Sequence, residues 1–275
     1  MDARSNDELV KKVNPELKLK DTQLNEPDSH IDAYTEIPHS KFSLGDRFDN
    51  NDDLYALALE LYDFALNGDN EAQFYLAKIM LYCESLDIPY TEIDSALTIE
   101  LHDWMRTRCA GFVNQNVEGL GSSDDWLELA AEGKYPQAIV VKLIKMEDLP
   151  RTSIILNDIH LALSSKNSEV MNLMGSLGHP QKNKIANEAW RFLACDYGFD
   201  CSTQSKEIWR LWVGSACSVQ MATGQECKTD IDYITYSKSR YTSAEFEQIM
   251  SKVAYLKGAI KSDRINELTF EQILD

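Results

Sequence analysis

The stretch Ala65-Leu66-Asn67-Gly68-Asp69-Asn70-Glu71-Ala72-Gln73 decides the fold class, and it has an echo at Ala131-Glu132-Gly133-Lys134-Tyr135-Pro136-Gln137-Ala138. Each phrase runs from one alanine through a glycine to a second alanine seven positions on. Each lies between two segments of apolar periodicity. Leu54, Ala58, Leu61, Tyr62 and Ala65 recur at helical spacing before the first phrase, and Ala72, Leu76, Ile79, Met80 and Cys83 do so after it. Gly68 stands where a helix C-terminus accepts a left-handed residue. Pro136 suits the first turn of a helix, where its missing N–H costs no hydrogen bond. Each phrase therefore predicts a tight turn between two helices. The chain as a whole predicts an all-α stack of antiparallel helical hairpins.

The pattern continues on both sides. Leu97, Leu101, Trp104 and Met105 share a helical face behind a capping signal at Thr91 to Asp94. A glycine-rich stretch, Gly111 to Gly121, reads as a loop, and Ser123-Asp124-Asp125 reads as the cap of the helix bearing Trp126, Leu127, Ala130 and Ala131. Ile139, Val140, Leu143 and Ile144 extend the helix after Pro136. Further faces follow at Ile155, Ile159, Ala162 and Leu163, and at Val170, Leu173, Met174 and Leu177. Gly178-His179-Pro180 is a stop. Then come Ala186, Trp190, Leu193 and Ala194, next Ile208, Trp209, Trp212, Val213 and Ala216, and a last long helix capped by Thr242-x-x-Glu245. Ile231 to Tyr236 fits a short helix or an extended piece. Residues 1–50 are polar and lack sustained periodicity, which predicts an extended or disordered lead-in. Ile31, Tyr34, Ile37 and Phe42 are the anchors by which it would instead pack as an arm.

The phrase Gly68 to Ala77 resembles the Sel1-like branch of the tetratricopeptide repeats, and Leu127-Glu128-Leu129-Ala130-Ala131-Glu132-Gly133 resembles the end of the same unit. The resemblance spans residues 54–178. The Leu-Gly and Gly-x-Gly positions of such repeats are mostly missing. The resemblance implies a short, degenerate solenoid over residues 51–180, with residues 181–275 as a helical C-terminal cap. It also implies a binding scaffold, of a kind common at bacterial envelopes.

The 275 residues are 44% hydrophobic and 26% charged, enough for one large or two small cores. With 27 Lys plus Arg against 45 Asp plus Glu, the formal charge is -18, which disfavours nucleic acid and anionic membrane surfaces. No run approaches the roughly 18 apolar residues of a membrane span. Met1 to Glu8 contain no apolar signal core, so the expectation is either a cytoplasmic start or a chain from which a leader or anchor was removed.

Six cysteines bear on that choice: Cys83, Cys109, Cys195, Cys201, Cys217 and Cys227. They fall at predicted helix ends and turns rather than in the middle of apolar faces. Three readings stand. They form structural disulfides in an exported protein, paired 83–109, 195–201 and 217–227. They are reduced core thiols of a cytosolic one. Or the last four hold zinc, although their gaps of five, fifteen and nine residues match no zinc ribbon or finger. The disulfide reading is preferred.

Nothing points to catalysis, a cofactor or a metal. The histidines His30, His39, His102, His160 and His179 show no ligand spacing, and no phosphate loop or nucleophile elbow occurs. The carboxylate pairs Asp52-Asp53 and Asp124-Asp125 fit helix starts, where they complement the dipole. The aromatic group of Trp209, Trp212, Tyr233 and Tyr236 has two readings, core packing or a partner-binding surface. The leading function is a non-enzymatic interaction protein binding a protein or peptide in an oxidising compartment, a bacterial periplasm. The alternatives are an enzyme using a C-terminal cysteine, and a cytosolic adaptor with free thiols.

Overall fold

The computed structural model describes residues 43–84, 95–114, 117–146, 148–177, 183–207, 209–222, 226 and 228–275. Among them all regular structure is helical. The chain divides into two units, residues 1–87 with 105–133, and residues 88–104 with 134–275. Most of the lead-in lies outside the described residues, as do Thr91 to Asp94, Gly178-His179-Pro180, Ile208 and Cys227.

The first unit contains α1 (Leu44–Asn50), α2 (Leu54–Leu66), α3 (Asn70–Glu84), the end of α4 (Ala96–Arg108), α5 (Ala110–Asn114) and α6 (Ser123–Glu132). The first turn phrase makes the hairpin of α2 and α3. Asp53 caps α2 by accepting from the Ala56 amide at 3.0 Å. Gly68 takes φ +89°, the left-handed conformation that ends the helix without a Cβ penalty. Gln73 then donates from Nε2 to the Ala65 carbonyl at 2.9 Å, closing the turn from inside. Small alanines at 58, 65, 72 and 77 are buried and let the two helices lie close.

The two turn phrases meet in space. Asn70 Nδ2 donates to the Gly133 carbonyl at 3.0 Å, and α3 packs along α6. A Cβ on Gly133 would lie 2.0 Å from Asn70 Oδ1 and 2.1 Å from its Cγ. The glycine is there because the asparagine comes so close. Gly133→Ala is expected to lower stability by about 1–3 kcal/mol. In an Asn70→Ala background the same change should cost much less. A double-mutant cycle by urea denaturation reads this coupling, and additive costs would refute the clash.

Two stretches differ from the sequence reading. Residues 44–50, placed within an irregular lead-in, form a helix. Ser43 and Asp46 make a capping box, and Phe48 is buried against Tyr75 and Tyr82. At seven residues this helix is too short to show sustained apolar periodicity. The glycine-rich stretch after Cys109 begins as helix α5 and includes a 3-10 turn at Val117–Leu120. A Cβ on Gly111 would lie 2.4 Å from that of Tyr55, so this glycine marks a close crossing of α5 with α2 and not a loop. The cap of α6 is Ser122 rather than Ser123, its hydroxyl accepting from the Asp125 amide at 3.1 Å.

The second unit contains the start of α4, then α7 (Pro136–Ile144), α8 (Ser153–Ser164), α9 (Ser168–Met174), α10 (Lys184–Asp196), α11 (Trp209–Ala222), α12 (Tyr233–Lys238), α13 (Ser243–Lys261) and α14 (Phe270–Leu274). Helix α10 is the central post. It packs on α9, α13 and α14. Its core residues Ala186, Ala189, Trp190, Leu193 and Ala194 are fully buried. Trp190 Nε1 donates to the Ile273 carbonyl at 2.9 Å, tying α14 to the post. His160 is buried, with Nε2 at 2.8 Å from the Leu268 carbonyl, a structural contact. The segment Ile231 to Tyr236 resolves as helix from Tyr233, because Asp232 accepts from the Thr235 amide at 2.7 Å. The cap of α13 is the predicted Thr242/Glu245 box. Lys184 beside Glu245 and the amide and hydroxyl of Thr242 hold that carboxyl down to about 2. Helices α7 to α9 share this unit with α10 to α14, so the division falls at Gly133 and Lys134, inside the second turn phrase.

Candidate functional site

The turn after α10 builds one wall of a pocket in the second unit. Gly198 at φ +102° reverses the chain, and the Cys195–Cys201 disulfide pins the reversal, with Cα atoms 5.7 Å apart. Two hydrogen bonds then fasten this turn to its neighbours. Trp209 Nε1 donates to the Asp200 carbonyl at 3.1 Å, and the Tyr233 amide donates to the Cys201 carbonyl at 3.0 Å. The base of α11 and the start of α12 are thereby aligned around one opening.

That opening is a cavity of ≈ 140 Å³. Its apolar walls are Leu173, Phe199, Trp209, Trp212 and Tyr233, with Cys201 at the turn. Its polar edge is Asn172, Ser176 and Arg191. Tyr233 meets Trp209 edge-on at 5.4 Å and Phe192 at 6.1 Å, so the aromatic wall is a packed stack. Arg210 secures the outer side of Trp209. Its guanidinium lies 5.3 Å from the indole and donates to the Thr229 and Ile231 carbonyls at 2.8 and 3.2 Å.

Arg191 is held by three neighbours. Its stem crosses Gly175, where a Cβ would come within 2.6 Å of Arg191 Cγ. Its guanidinium lies 5.1 Å from the centroid of Trp212. One nitrogen is 3.5 Å from the Glu188 carboxylate, one helical turn back. Glu188 is 1% exposed and has one oxygen, Oε1, without a hydrogen-bond partner. Its other oxygen accepts from the Tyr241 hydroxyl at 3.3 Å. The Tyr233 hydroxyl is also buried and unpartnered. Burial, then the negative charge of Glu188, pushes the Tyr233 phenol far above its ordinary range, and the same two causes push Tyr241 up to about 12. Both phenols therefore stay protonated at physiological pH, and that of Tyr241 donates to Glu188.

The pocket brings together three of the four aromatics singled out in the sequence. Trp209 and Tyr233 are buried in its wall and Trp212 is half-buried at its edge, while Tyr236 is buried outside the lining. Arg191, Asn172 and Phe199 were not singled out. The i, i+3 pairing of Glu188 with Arg191 was the available signal for the cation.

The cysteines fall as follows. Cys83 and Cys109 are bonded, with Cα atoms 5.5 Å apart, and so are Cys195 and Cys201. Cys217 is buried on α11, and its expected partner Cys227 lies outside the described residues. No cysteine among the described residues is free. Among the same residues no group of three or more His, Cys, Asp or Glu could hold a metal ion. His30, His39 and His179 lie outside them. No described helix is long and apolar enough to cross a membrane. The chain matches no protein-family model, no curated protein and no solved structure.

Proposed function

We propose that this protein is a non-enzymatic binding scaffold that recognises a peptide segment of a partner protein in an oxidising compartment, a bacterial periplasm. The observation that supports it best is the pocket beside the Cys195–Cys201 turn. Aromatic walls with a few convergent polar groups are what an anchoring side chain of a partner requires. A disulfide in its wall and fixed aromatic stacking reduce the ordering cost of binding. Two bridged cysteine pairs fit an exported chain, and the acidic balance fits a partner of neutral or basic character. The hairpin of α2 and α3, with its clasp to the second turn phrase, fits the Sel1-like solenoid reading of the helical part.

The test is capture of a soluble combinatorial peptide library by the oxidised full chain, with bound sequences read by mass spectrometry. A shared anchor residue is expected among the captured peptides, and Trp212→Ala should abolish its enrichment. Trp212 is half-buried at the pocket edge, so the variant should fold. Capture without a shared residue, or unchanged by the variant, would overturn the proposal.

A further inference from the structure

The pocket combines an apolar interior with one guanidinium whose donors are largely unused. Arg191 has five N–H donors. Among the described residues it pairs with the Glu188 carboxylate at 3.5 Å, a loose contact, and its charge also acts on the neighbouring Tyr233 phenol. The side chain is nonetheless immobilised, crossing Gly175 and stacked on Trp212. Asn172 on α9 and Ser176 in the turn that follows it stand on the same edge, with side chains that make no hydrogen bond to another described residue. A fixed cation flanked by two free polar groups is a carboxylate receptor, since a planar carboxylate takes two guanidinium donors at once. A cationic ligand is disfavoured, because Arg191 already occupies the face of Trp212. Inorganic phosphate would leave the walls of Leu173, Phe199, Trp209 and Trp212 unfilled. What satisfies both halves is a carboxylate one or two bonds away from a bulky apolar group. The cavity of ≈ 140 Å³ has the scale of one side chain, not of a helix.

Resting on the peptide-binding reading, we infer that the pocket receives the free carboxyl terminus of a partner chain ending in an aromatic or branched apolar residue. The terminal carboxylate pairs with Arg191, supported by Asn172 and Ser176. The last side chain fills the space between Phe199, Trp209 and Trp212. Glu188 acts behind Arg191 as a positioning residue and does not touch the ligand.

Calorimetric titration of the oxidised full chain with acetyl-Gly-Ala-Phe as the free acid and as the amide tests the inference. The acid is expected to bind at least tenfold more tightly than the amide, and to shift the Trp209 and Trp212 indole resonances. Arg191→Gln should bring acid and amide to equal affinity. Asn172→Asp, at a half-buried edge position, should weaken the acid several-fold and so narrow the difference between acid and amide. Equal binding of acid and amide by the unaltered protein would overturn the carboxylate anchor while leaving peptide recognition standing. No binding of either form, when the combinatorial library has yielded sequences anchored away from their ends, would overturn it as well. A library that yields nothing removes the reading beneath it.

Discussion

Trp190→Ala is expected to destabilise the second unit by about 3–5 kcal/mol. Trp190 is one of the two largest fully buried side chains, and it stands on the helix around which α9, α13 and α14 pack. Truncation opens a cavity in a region where facing helices are already in contact, so little collapse can refill it. It also leaves the Ile273 carbonyl without its 2.9 Å donor, a buried acceptor whose loss adds to the cost. Trp190→Phe separates the two parts. It keeps most of the volume and removes the hydrogen bond, so about 1–3 kcal/mol should be lost. Guanidinium denaturation followed by far-ultraviolet circular dichroism reads both. A cost below about 1 kcal/mol for the alanine variant would mean that α10 is not the post of this unit.

Opening the Cys83–Cys109 bridge is the second large effect. The bond spans 26 positions in sequence. On the chain-entropy account, closing a loop of that size removes about 3.5 kcal/mol of denatured-state freedom. The smaller Cys195–Cys201 loop, a separation of 6, is expected to contribute about 2.4 kcal/mol on the same account. The native surroundings reinforce the larger bridge. Arg108, next to Cys109, is 2% exposed and donates to the Asn51 carbonyl at 2.7 Å and to that of Phe48. The end of α4 is therefore fastened to α1 and α3 by sulfur and guanidinium side by side. The double variant Cys83→Ala/Cys109→Ala should unfold at a denaturant concentration below that of Cys195→Ala/Cys201→Ala. Alkylation of the native protein before reduction should label none of these four sulfurs. Labelling of any of them would place the thiols in the reduced state and remove the argument for an oxidising compartment.

What was readable in the chain and what was not follow from the range of the forces involved. Helix identity depends on neighbours three and four positions away, so the faces of α2, α3, α8 and α10 were visible in apolar spacing. The cap at Thr242 acts over three residues and was equally visible, whereas the one at Asp232 was not read, and Ile231 to Tyr236 fitted a short helix or an extended piece alike. The Cys83–Cys109 and Cys195–Cys201 bridges agree with the pairing preferred for cysteines at helix ends, although six cysteines allow fifteen pairings and sequence alone does not choose among them. Two glycines show the limit. Gly133 and Gly111 looked like a helix breaker and a loop former, yet each makes room for a side chain 63 and 56 positions away, Asn70 and Tyr55. No local pattern encodes such a partner. The pocket was legible by halves. Its aromatic wall appeared as a cluster of Trp and Tyr. Its cation did not, because Arg191 on a helix otherwise looks like a solvated charge, and Gly175 after α9 and Trp212 on α11, both distant in sequence, help to hold it in place.

The bond from Trp190 to the Ile273 carbonyl also sets a timetable. The two residues are 83 positions apart. At about 5–20 residues per second, synthesis of that interval lasts on the order of 4–17 s. For those seconds the nascent α10 can pack on α9 but has neither α13 nor α14 to cover the rest of its apolar side. Holdase chaperones are therefore expected to meet the nascent chain first at the segment around Trp190.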